Sequence, residues 1–303
     1  MIRLPHWLLN PLLRLTVRRT LAQVQDPEEL RARFESRCRM LFRWPEGMQY
    51  TALHVPAARP VSGLEAVPWG MQPDRALLYL HGGAYVAGSS HTHAHIAGQL
   101  AEGLGARAVI PDYALAPEHR FPAALEDALA CYRQLLEDLP PGRIAVAGDS
   151  AGGGLAAALV LLAKREGLAA PGCLALFSPW SDLRGTAASI RENAARDSML
   201  PASRLSDAAA LYLGEGDPAD PLASPALASF TAPPPALIYA SEDEILRDDA
   251  RALAERLRDA GGEVTLTLRP RLPHGWPVFV GRLREADEAV AETTAFLHAR
   301  LSA

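Results

Sequence analysis

Short apolar runs recur along the middle of the chain, and most of them are followed by a stretch of helical pattern. These runs are RALLYLH, ARAVIPDY, RIAVAG, GCLALFS and PALIYA. Such alternation is typical of successive βαβ units and predicts a parallel sheet that helices cover on both faces. Ligands of these sheets bind beyond the carboxyl ends of the strands. The polar residues that follow the runs are therefore candidate site residues, namely His81, Ser150, Ser178 and the acidic stretch 242–244.

Ser150 lies in the sequence GDSAG, between the apolar run 144–147 and the longer Ala- and Leu-rich run 155–163. The first run predicts a buried strand and the second a helix, so the serine is expected on the sharp turn between them. Gly148 and Gly152 lack the Cβ atoms that would obstruct this turn. The pattern G-x-S-x-G at such a turn is typical of a nucleophilic serine. A serine that only caps the helix would fit the same residues.

A nucleophilic serine needs a base, and the base needs a carboxylate that holds its tautomer. His274 lies in the loop PRLPHGWPVF after the predicted strand EVTLTLR, as the chain order serine, acid, histidine requires. The sequence ASEDEILRDDA offers five acids, which are Glu242, Asp243, Glu244, Asp248 and Asp249. The last two fall on the following predicted helix and are expected to be solvated or to cap it. The residues alone leave the first three open.

A tetrahedral intermediate also needs N–H donors for its oxyanion. Gly82 and Gly83 follow the predicted strand ALLYL, and Ala151 follows the candidate nucleophile, so these three backbone N–H groups are the predicted donors. A tight glycine turn without a ligand is the alternative interpretation of the glycine pair. The turn GDSAG already follows one predicted parallel strand. Another glycine-rich turn at the end of a second parallel strand favours an oxyanion site over a turn without a ligand.

Six motifs occur in a fixed order between Leu78 and Trp276. They are HGGAYVAGS, DYALAPEHRFPAALEDA, GDSAGGGLA, SPWSDL, DEILRDDA and HGW. In these motifs the chain resembles the hormone-sensitive-lipase-like group of α/β-hydrolase esterases, also called bacterial family IV. The resemblance implies the α/β-hydrolase fold, with a mostly parallel central sheet flanked by helices and a helical cap. It also implies hydrolysis of small carboxylic esters without a cofactor.

The resemblance implies roles for individual residues. It makes Ser150 the nucleophile, His274 the base and Glu244 the acid, at a position where most members have aspartate. Asp243 is the second choice for the acid. Gly82, Gly83 and Ala151 become the oxyanion hole, and Tyr113, Pro117 and Glu118 brace the site. The family's usual HGGG sequence reads HGGA here, which affects the expected shape of the pocket but not the mechanism.

We expect a single α/β-hydrolase domain over residues 1–303, with a cap from about 1–45 and 184–222. The segment 184–222 shows a helical pattern that ends at Gly214 and no strand. The N-terminal sequence predicts an amphipathic helix that packs on the domain through its leucines and Trp7, with membrane-surface contact as the weaker alternative. A signal peptide is less favoured, because polar residues interrupt the apolar region and no cleavage site follows. The sequences YTALHVPA and SGLEAVPW predict an antiparallel pair of strands.

The composition narrows the partners of the protein. A formal net charge of −5 without a basic block argues against nucleic acid as the main partner. No run of about 18 apolar residues suggests a membrane span. Three distant cysteines without C-x-x-C spacing indicate neither disulfides nor zinc and fit a reducing cytoplasm. His91 and His95 have the i,i+4 spacing of metal ligands but no completing residue, so we expect no metal and place them at the pocket rim.

Three functions remain open at this stage. The favoured one is a carboxylesterase that acts on a small-molecule ester through an acyl-serine intermediate. An amide or formamide hydrolase would use the same residues and differ in how the leaving group is protonated. A receptor without catalysis on this fold is disfavoured by the presence of His274. The sequence also leaves a homodimer open.

Overall fold

A computed structural model describes residues 3–301 of the chain. Its strands form one sheet in the order β1-β2-β4-β3-β5-β6-β7-β8. The strands are β1 (Met48–Val55), β2 (Val61–Pro68), β3 (Ala76–Leu80), β4 (Arg107–Pro111), β5 (Ile144–Asp149), β6 (Cys173–Phe177), β7 (Ala236–Ser241) and β8 (Val264–Arg269). The strand β2 is antiparallel to β1 and to β4, and the remaining neighbours are parallel.

The helices lie before, between and after these strands. They are α1 (His6–Leu13), α2 (Arg19–Gln23), α3 (Pro27–Leu41), α4 (Ser90–Leu104), α5 (Ala123–Asp138), α6 (Ala151–Arg165), α7 (Ala188–Glu192), α8 (Leu205–Leu213), α9 (Arg247–Asp259) and α10 (Arg284–Leu301). A π-helical segment, Arg14–Arg18, joins α1 to α2. The helix α3 begins with a side-chain cap, since the Asp26 side chain accepts hydrogen bonds from the N–H groups of Glu28 and Glu29.

The sheet is covered on both faces, as the continuous apolar runs predict. Every residue of β3, β5, β6 and β7 is buried. Leu78 and Leu80 of β3 pack into one core with residues of α5, α6 and α9. Leu77 and Tyr79 point to the other face and pack into a second core with residues of α4 and α10. The predicted fold class and the antiparallel pair β1 and β2 are confirmed.

The N-terminal helices contact the segment 184–222 through arginines. Arg14 donates to the carbonyl groups of Ala195 and Arg196, and Arg18 donates to those of Ala194, Asp197 and Leu200. Within that segment the structure has helices and no strand, and Gly214 ends α8 with a positive φ of 60°. Residues 1 and 2 of the predicted cap lie outside the described residues.

The apolar face predicted for the N-terminal helix is wrong in part. Leu9 and Leu13 are buried against the domain, whereas the exposed fractions are 64% for Trp7, 46% for Leu8, 45% for Leu12 and 71% for Leu15. A helix can turn only one face to the domain, and the i,i+4 pair Leu9 and Leu13 occupies it here. No helix between residues 3 and 301 is long and apolar enough to cross a bilayer.

Candidate active site

Ser150 lies on the turn between β5 and α6, as predicted. Its backbone has φ 54° and ψ −122°, and its N–H donates to the carbonyl of Phe177 at 2.8 Å. A Cβ at Gly148 would overlap the carbonyl of Gly152, and one at Gly152 would overlap the carbonyl of Leu80. The side chain of Ser150 makes no capping hydrogen bond to α6. The strained turn and the unused hydroxyl argue against a serine that only caps the helix.

His274 and Glu244 come together at the carboxyl edge of the sheet. The Nδ1 atom of His274 lies 3.4 Å from Oε2 of Glu244, and both side chains are buried. The Nε2 atom of His274 has no hydrogen-bond partner among residues 3–301, so no bond joins it to Ser150 in this structure. Such catalytic bonds are often long before substrate binds. The free nitrogen leaves room for a proton from the serine.

Ser178 connects the two residues of this pair. Its hydroxyl donates to Oε2 of Glu244 at 2.8 Å and accepts from the N–H of Gly275 at 3.0 Å. Ser178 has a positive φ of 49° and directly follows Phe177, whose carbonyl binds the N–H of Ser150. One buried hydroxyl therefore fixes the acid to the loop of the histidine. The sequence marked Ser178 by its place after a strand but gave it no role.

The segment 184–222 contributes further contacts to the loop that contains Glu244. Asn193 Nδ2 donates to the backbone carbonyls of Glu242 and Glu244 at 2.8 Å each. The carboxylate of the buried Asp197 accepts the N–H of Ile245 at 2.9 Å. Nothing in the sequence singles out Asn193 or Asp197, because both lie in a segment without a strand or a recognisable motif. Their contacts link the loop of Glu244 to the segment 184–222.

The pKa values of Glu244 and His274 are both above their ordinary values, but for different reasons. Burial raises the pKa of Glu244, and the interaction with His274 offsets only part of this effect. Burial would lower the pKa of His274, but the negative charge of Glu244 outweighs this effect, so the pKa of His274 is above its ordinary value. The carboxylate of Glu244 thus stabilises the protonated imidazole of His274. This is the form that the histidine would take after accepting a proton as a general base.

The other acids of this stretch face elsewhere. Glu242 pairs with Arg251 at 3.2 Å. Asp243 contacts the N–H of Arg271 and the guanidinium of Arg196. Neither has a contact with His274 among the bonds and ion pairs of the described chain, so the geometry favours Glu244 over its neighbours.

The two acids on α9 have different environments. Asp248 lies in the first turn, is half-buried and accepts the N–H of Ser189 at 2.9 Å, while α9 has no side-chain cap hydrogen bond, so the prediction of a capping acid is wrong for Asp248. The prediction that Asp249 is solvated or a cap is wrong. It is 1% exposed and accepts the N–H groups of Ser181 and Asp182 at 3.0 and 2.9 Å. Backbone donors from the distant SPWSDL motif replace water around this carboxylate.

The glycine turn after β3 is held by a second buried acid, Asp149. Its Oδ1 accepts the N–H of Gly82 at 3.1 Å and the hydroxyl of Tyr79 at 2.9 Å. The N–H of Gly82 is thereby occupied, which argues against its predicted place in the oxyanion hole. In the part of the chain that the structure describes, no hydrogen bond uses the N–H of Gly83, Ala84 or Ala151.

Asp149 belongs to a buried polar cluster that the sequence did not predict. The Nε2 atom of His93 lies 3.4 Å from its Oδ1. Burial would raise the pKa of Asp149, but His93 and the hydroxyl of Tyr79 lower it below its ordinary value. His81 is neutral, since burial lowers its pKa to about 3, and its ring stacks on Tyr113 with 4.1 Å between centroids. The only sequence signal for this cluster is the position of Asp149 directly before Ser150.

The histidines at the start of α4 are placed differently from the prediction. His95 is buried, stacks on Phe42 with 3.9 Å between ring centroids and bonds to the carbonyl of Val278. His91 is exposed and lies near Trp44. The expectation that both line a pocket rim is therefore wrong for His95, which packs in the core. Among residues 3–301 no group of three or more histidine, cysteine or acidic side chains could hold a metal ion.

A small apolar pocket adjoins the glycine turn. Its volume is about 80 Å³, and its walls come from α2, α3, α8 and the turn itself. The lining includes Leu21, Leu30, Ala84, Val86, Leu205 and Ala208. A larger cleft of about 1040 Å³ lies beside α5, and none of its lining residues belongs to the glycine turn. The small pocket is therefore the candidate for the acyl or alcohol group of a substrate.

The contacts around the site extend to the predicted bracing residues. Tyr113 donates its hydroxyl to the carbonyl of His81 at 2.6 Å, and Glu118 forms an ion pair with Arg31 of α3 at 2.6 Å. Arg31 also donates to the carbonyls of Val86 and Ala116. These contacts join the glycine turn to the N-terminal helices. The structure gives Pro117 no comparable polar contact.

Comparison with known proteins places these features in a family. The family model of the α/β hydrolase fold matches residues 77–278. An acetyl-hydrolase of Streptomyces hygroscopicus is 43% identical over 227 residues, which cover 75% of this chain and 76% of that protein. An ethyl acetate hydrolase of Pseudomonas putida is 37% identical over 224 residues, covering 71% of this chain and 70% of that protein.

The structural comparison agrees with the sequence comparison. A crystal structure of an esterase from the bacterial hormone-sensitive lipase family has a TM-score of 0.91 and 35% sequence identity, over 99% of this chain and 100% of that chain. The match includes the sheet, the turn with Ser150 and the loop with His274. On this evidence the chain belongs to the α/β-hydrolase family and, within it, to the hormone-sensitive-lipase-like esterases.

Proposed function

We propose that this carboxylic-ester hydrolase cleaves small esters of short-chain acids through an acyl-serine intermediate on Ser150. In this proposal His274 is the general base and Glu244 is the acid that orients it. The proposal rests on the buried pair of His274 and Glu244, 3.4 Å apart, with no hydrogen-bond partner for Nε2 of the histidine in the described part of the chain. Ser178 is a positioning residue that fixes the carboxylate relative to the histidine loop.

The first half of the reaction forms the acyl-enzyme. The Oγ atom of Ser150 attacks the ester carbonyl carbon while its proton moves to Nε2 of His274. The carbonyl oxygen becomes an oxyanion, for which we propose the N–H groups of Gly83, Ala84 and Ala151 as donors, because no acceptor among residues 3–301 uses them. The intermediate collapses, the bond to the alkoxide oxygen breaks, and His274 returns the proton to the leaving alcohol.

The second half of the reaction releases the acid. Water attacks the acyl carbon after giving a proton to His274, and collapse of the second intermediate returns that proton to Ser150. Glu244 stabilises the imidazolium in each half, since its charge raises the pKa of His274. No cofactor is needed in this sequence of steps, because every proton and electron pair has a donor and an acceptor among the residues, the ester and water.

The proposed substrate size follows from the pocket. A volume of about 80 Å³ is well below the 300–1,000 Å³ of pockets for drug-sized ligands. We therefore propose acyl chains of roughly two to eight carbons, as expected from the resemblance and a confined pocket. The names of two relatives, an acetyl-hydrolase and an ethyl acetate hydrolase, support the lower end of this range.

The cap is part of the same proposal. We propose that residues from about 1–45 and 184–222 form it, supported by the bonds from Arg14 and Arg18 to that segment and by the pocket residues from both parts. We further propose that the enzyme works in a reducing cytoplasm. The cysteines Cys38, Cys131 and Cys173 are free thiols, which supports this setting.

A series of p-nitrophenyl esters from acetate to palmitate tests the proposed function, with p-nitroacetanilide as the amide. We expect the highest kcat/KM at short chains and little turnover of the anilide. Ser150→Ala should lose activity by about 10³-fold or more. A fluorophosphonate should label Ser150 and no other residue. Faster hydrolysis of palmitate than of butyrate would contradict the substrate class, and near-normal turnover by Ser150→Ala would contradict the nucleophile.

A further inference from the structure

The N-terminal helix presents an apolar stripe to solvent. The stripe consists of Trp7, Leu8, Pro11, Leu12 and Leu15, all of which are exposed. Their spacing of i, i+1, i+4, i+5 and i+8 places them on one helix face. We call this face the α1 stripe. Among the large apolar side chains of residues 3–301, only Met40, Trp69 and Met71 are also markedly exposed.

The helix that bears the α1 stripe is held firmly on its other side. Leu9 and Leu13 are buried in the core that α4 and α10 also line. The Nδ2 atom of Asn10 donates to the carbonyl of Arg271 at 2.8 Å, and the N–H of Leu4 donates to the carbonyl of Arg282 at 2.7 Å. The α1 stripe is therefore exposed on a helix whose opposite face packs against the domain.

Positive charge surrounds the α1 stripe. Residues 3–25 contain four arginines and no acidic residue, while the whole chain has a formal net charge of −5. The arginines Arg14 and Arg18 bind backbone carbonyls, so their charges are not neutralised by carboxylates there. Arg196 and Arg271 lie beside the helix and are exposed.

Some acidic groups also face this region. Asp287 pairs with Arg3 at 2.8 Å, and Glu285 lies 3.5 Å from His6, both at the N-terminal end of the helix. Asp243 is mostly buried and contacts Arg196 and the backbone of Arg271. These acids offset part of the positive charge at one end. The remaining rim, with Arg14, Arg19 and Arg271, stays basic.

We propose that the α1 stripe binds the surface of an anionic phospholipid bilayer, with the helix lying in the plane of the interface. Trp7 and the leucines would enter the boundary between head groups and acyl chains, and the arginines would contact lipid phosphates. The segment that follows supplies Leu21, Pro27 and Leu30 to the pocket beside the glycine turn. Docking would therefore bring the pocket close to the lipid surface, where apolar esters concentrate.

A second copy of the chain fits this surface less well. In a two-fold dimer the same patch faces itself, so Arg14, Arg19 and Arg271 of one copy would lie near the same residues of the other. Like charges at such an interface oppose association. An anionic bilayer has an apolar interior, which matches the α1 stripe, and a negative surface, which matches the arginines around it.

Vesicle co-sedimentation of the full chain tests the proposal. One set of vesicles contains phosphatidylcholine alone, and the other contains about 30% phosphatidylglycerol. At this content of anionic lipid, each arginine near the surface contributes measurably to the free energy of binding. We expect binding about ten-fold tighter to the anionic vesicles and weaker binding at high salt. The variant Trp7→Ser/Leu12→Ser/Leu15→Ser should lose most of this binding, and Arg19→Glu should lose the preference for anionic lipid.

The controls separate the proposed surface from general stickiness and from loss of folding. Trp69→Ser/Met71→Ser removes exposed apolar side chains outside the stripe and should bind vesicles like the parent protein. Turnover of p-nitrophenyl acetate in solution should be unchanged in all variants, which shows that each one is folded. If the triple variant fails to fold, the single change Trp7→Ser provides the comparison.

The following outcomes would overturn the proposal. One is equal vesicle binding by the parent and the stripe variants, and another is no binding to either kind of vesicle. A concentration-dependent dimer in analytical ultracentrifugation that the stripe variants abolish would assign the surface to a second copy instead. None of these outcomes depends on the proposed ester specificity, because the binding assay contains no substrate.

Discussion

Replacing Glu244 with glutamine tests the acid of the proposed triad by changing a single atom. Gln retains the size of the side chain and one oxygen but removes the negative charge beside His274. It also replaces one acceptor with an NH₂ donor. Ser178 donates to Oε2 in the parent protein, so an amide oxygen at that position would still accept this bond. The NH₂ group would take the place of Oε1, which is buried and has no hydrogen-bond partner among residues 3–301. The main change is the loss of the negative charge beside the imidazole.

The structure sets the scale of the expected loss. Two unit charges 3.4 Å apart attract by about 5 kcal/mol at an effective dielectric constant of about 20. This attraction acts on the imidazolium that forms in both halves of the reaction. Because about 1.4 kcal/mol corresponds to ten-fold in rate, we expect kcat to fall by about 10³- to 10⁴-fold. The KM of p-nitrophenyl butyrate should change little, since Glu244 is buried away from the pocket lining.

The pH profile distinguishes this role from a merely structural one. His274 must be neutral to act as base, so kcat/KM of the parent falls as pH drops through its raised pKa. In Glu244→Gln the effect of burial, which lowers the pKa of His274, is no longer outweighed. The acidic limb of the profile should therefore move to lower pH in the variant, while the maximum rate drops.

Asp243→Asn is the matched control, because it removes a charge from the adjacent residue, which contacts Arg196 and the backbone of Arg271. We expect a small loss of activity and no shift of the acidic limb. A larger loss in Asp243→Asn than in Glu244→Gln would assign the acid to Asp243. Near-normal activity in both variants would refute the reasoning about the whole loop.

Three further predictions concern stability and the proposed cap. Burial raises the pKa of Asp249 to about 8, so the folded state retains a proton that the unfolded state has lost between about pH 4 and 8. The free energy of unfolding should therefore fall with rising pH, by up to about 1.4 kcal/mol per unit, and Asp249→Asn should lack this slope in urea titrations at several pH values. Arg18→Ala removes the donor to three carbonyls of the segment 184–222 and should lower Tm by about 3 °C or more, with a higher KM. Deletion of residues 1–40 should impair activity or solubility further, and a truncated protein with unchanged Tm and KM would show that these helices are dispensable.

The sheet and the serine turn were predictable because their signals are local. An apolar run of a few residues followed by a helical pattern needs no information about distant parts of the chain. The absence of Cβ atoms at Gly148 and Gly152 is likewise visible in the sequence, and the structure shows the carbonyls they would meet. The choice of Glu244 among three neighbouring acids depended on the resemblance, since position after a strand does not tell which side chain faces the histidine.

The errors concern contacts between distant segments. The N–H of Gly82 is used by Asp149, which is 67 residues away in the chain and has no motif of its own beyond the turn. Asp249 is buried because backbone donors at 181 and 182 approach it, and an acid in the first turn of a helix gives no sign of this. The N-terminal helix has leucines on opposite faces, so periodicity does not decide which face meets the domain.

The proposed reacting groups and the walls of the candidate pocket come from different parts of the fold, and this separation affects how substrate specificity can change. Ser150, Glu244 and His274 follow strands of the sheet, whereas Leu30, Leu205 and other lining residues lie on helices outside it. Substitutions on those helices can change which ester is accepted, while the sheet keeps the side chains of Ser150, Glu244 and His274 in position. Selection for a new substrate, in nature or in a mutant library, is therefore expected to accumulate changes in α3 and α8 and to spare the strand ends. A library restricted to these two helices is the smallest one that tests how far the substrate range extends.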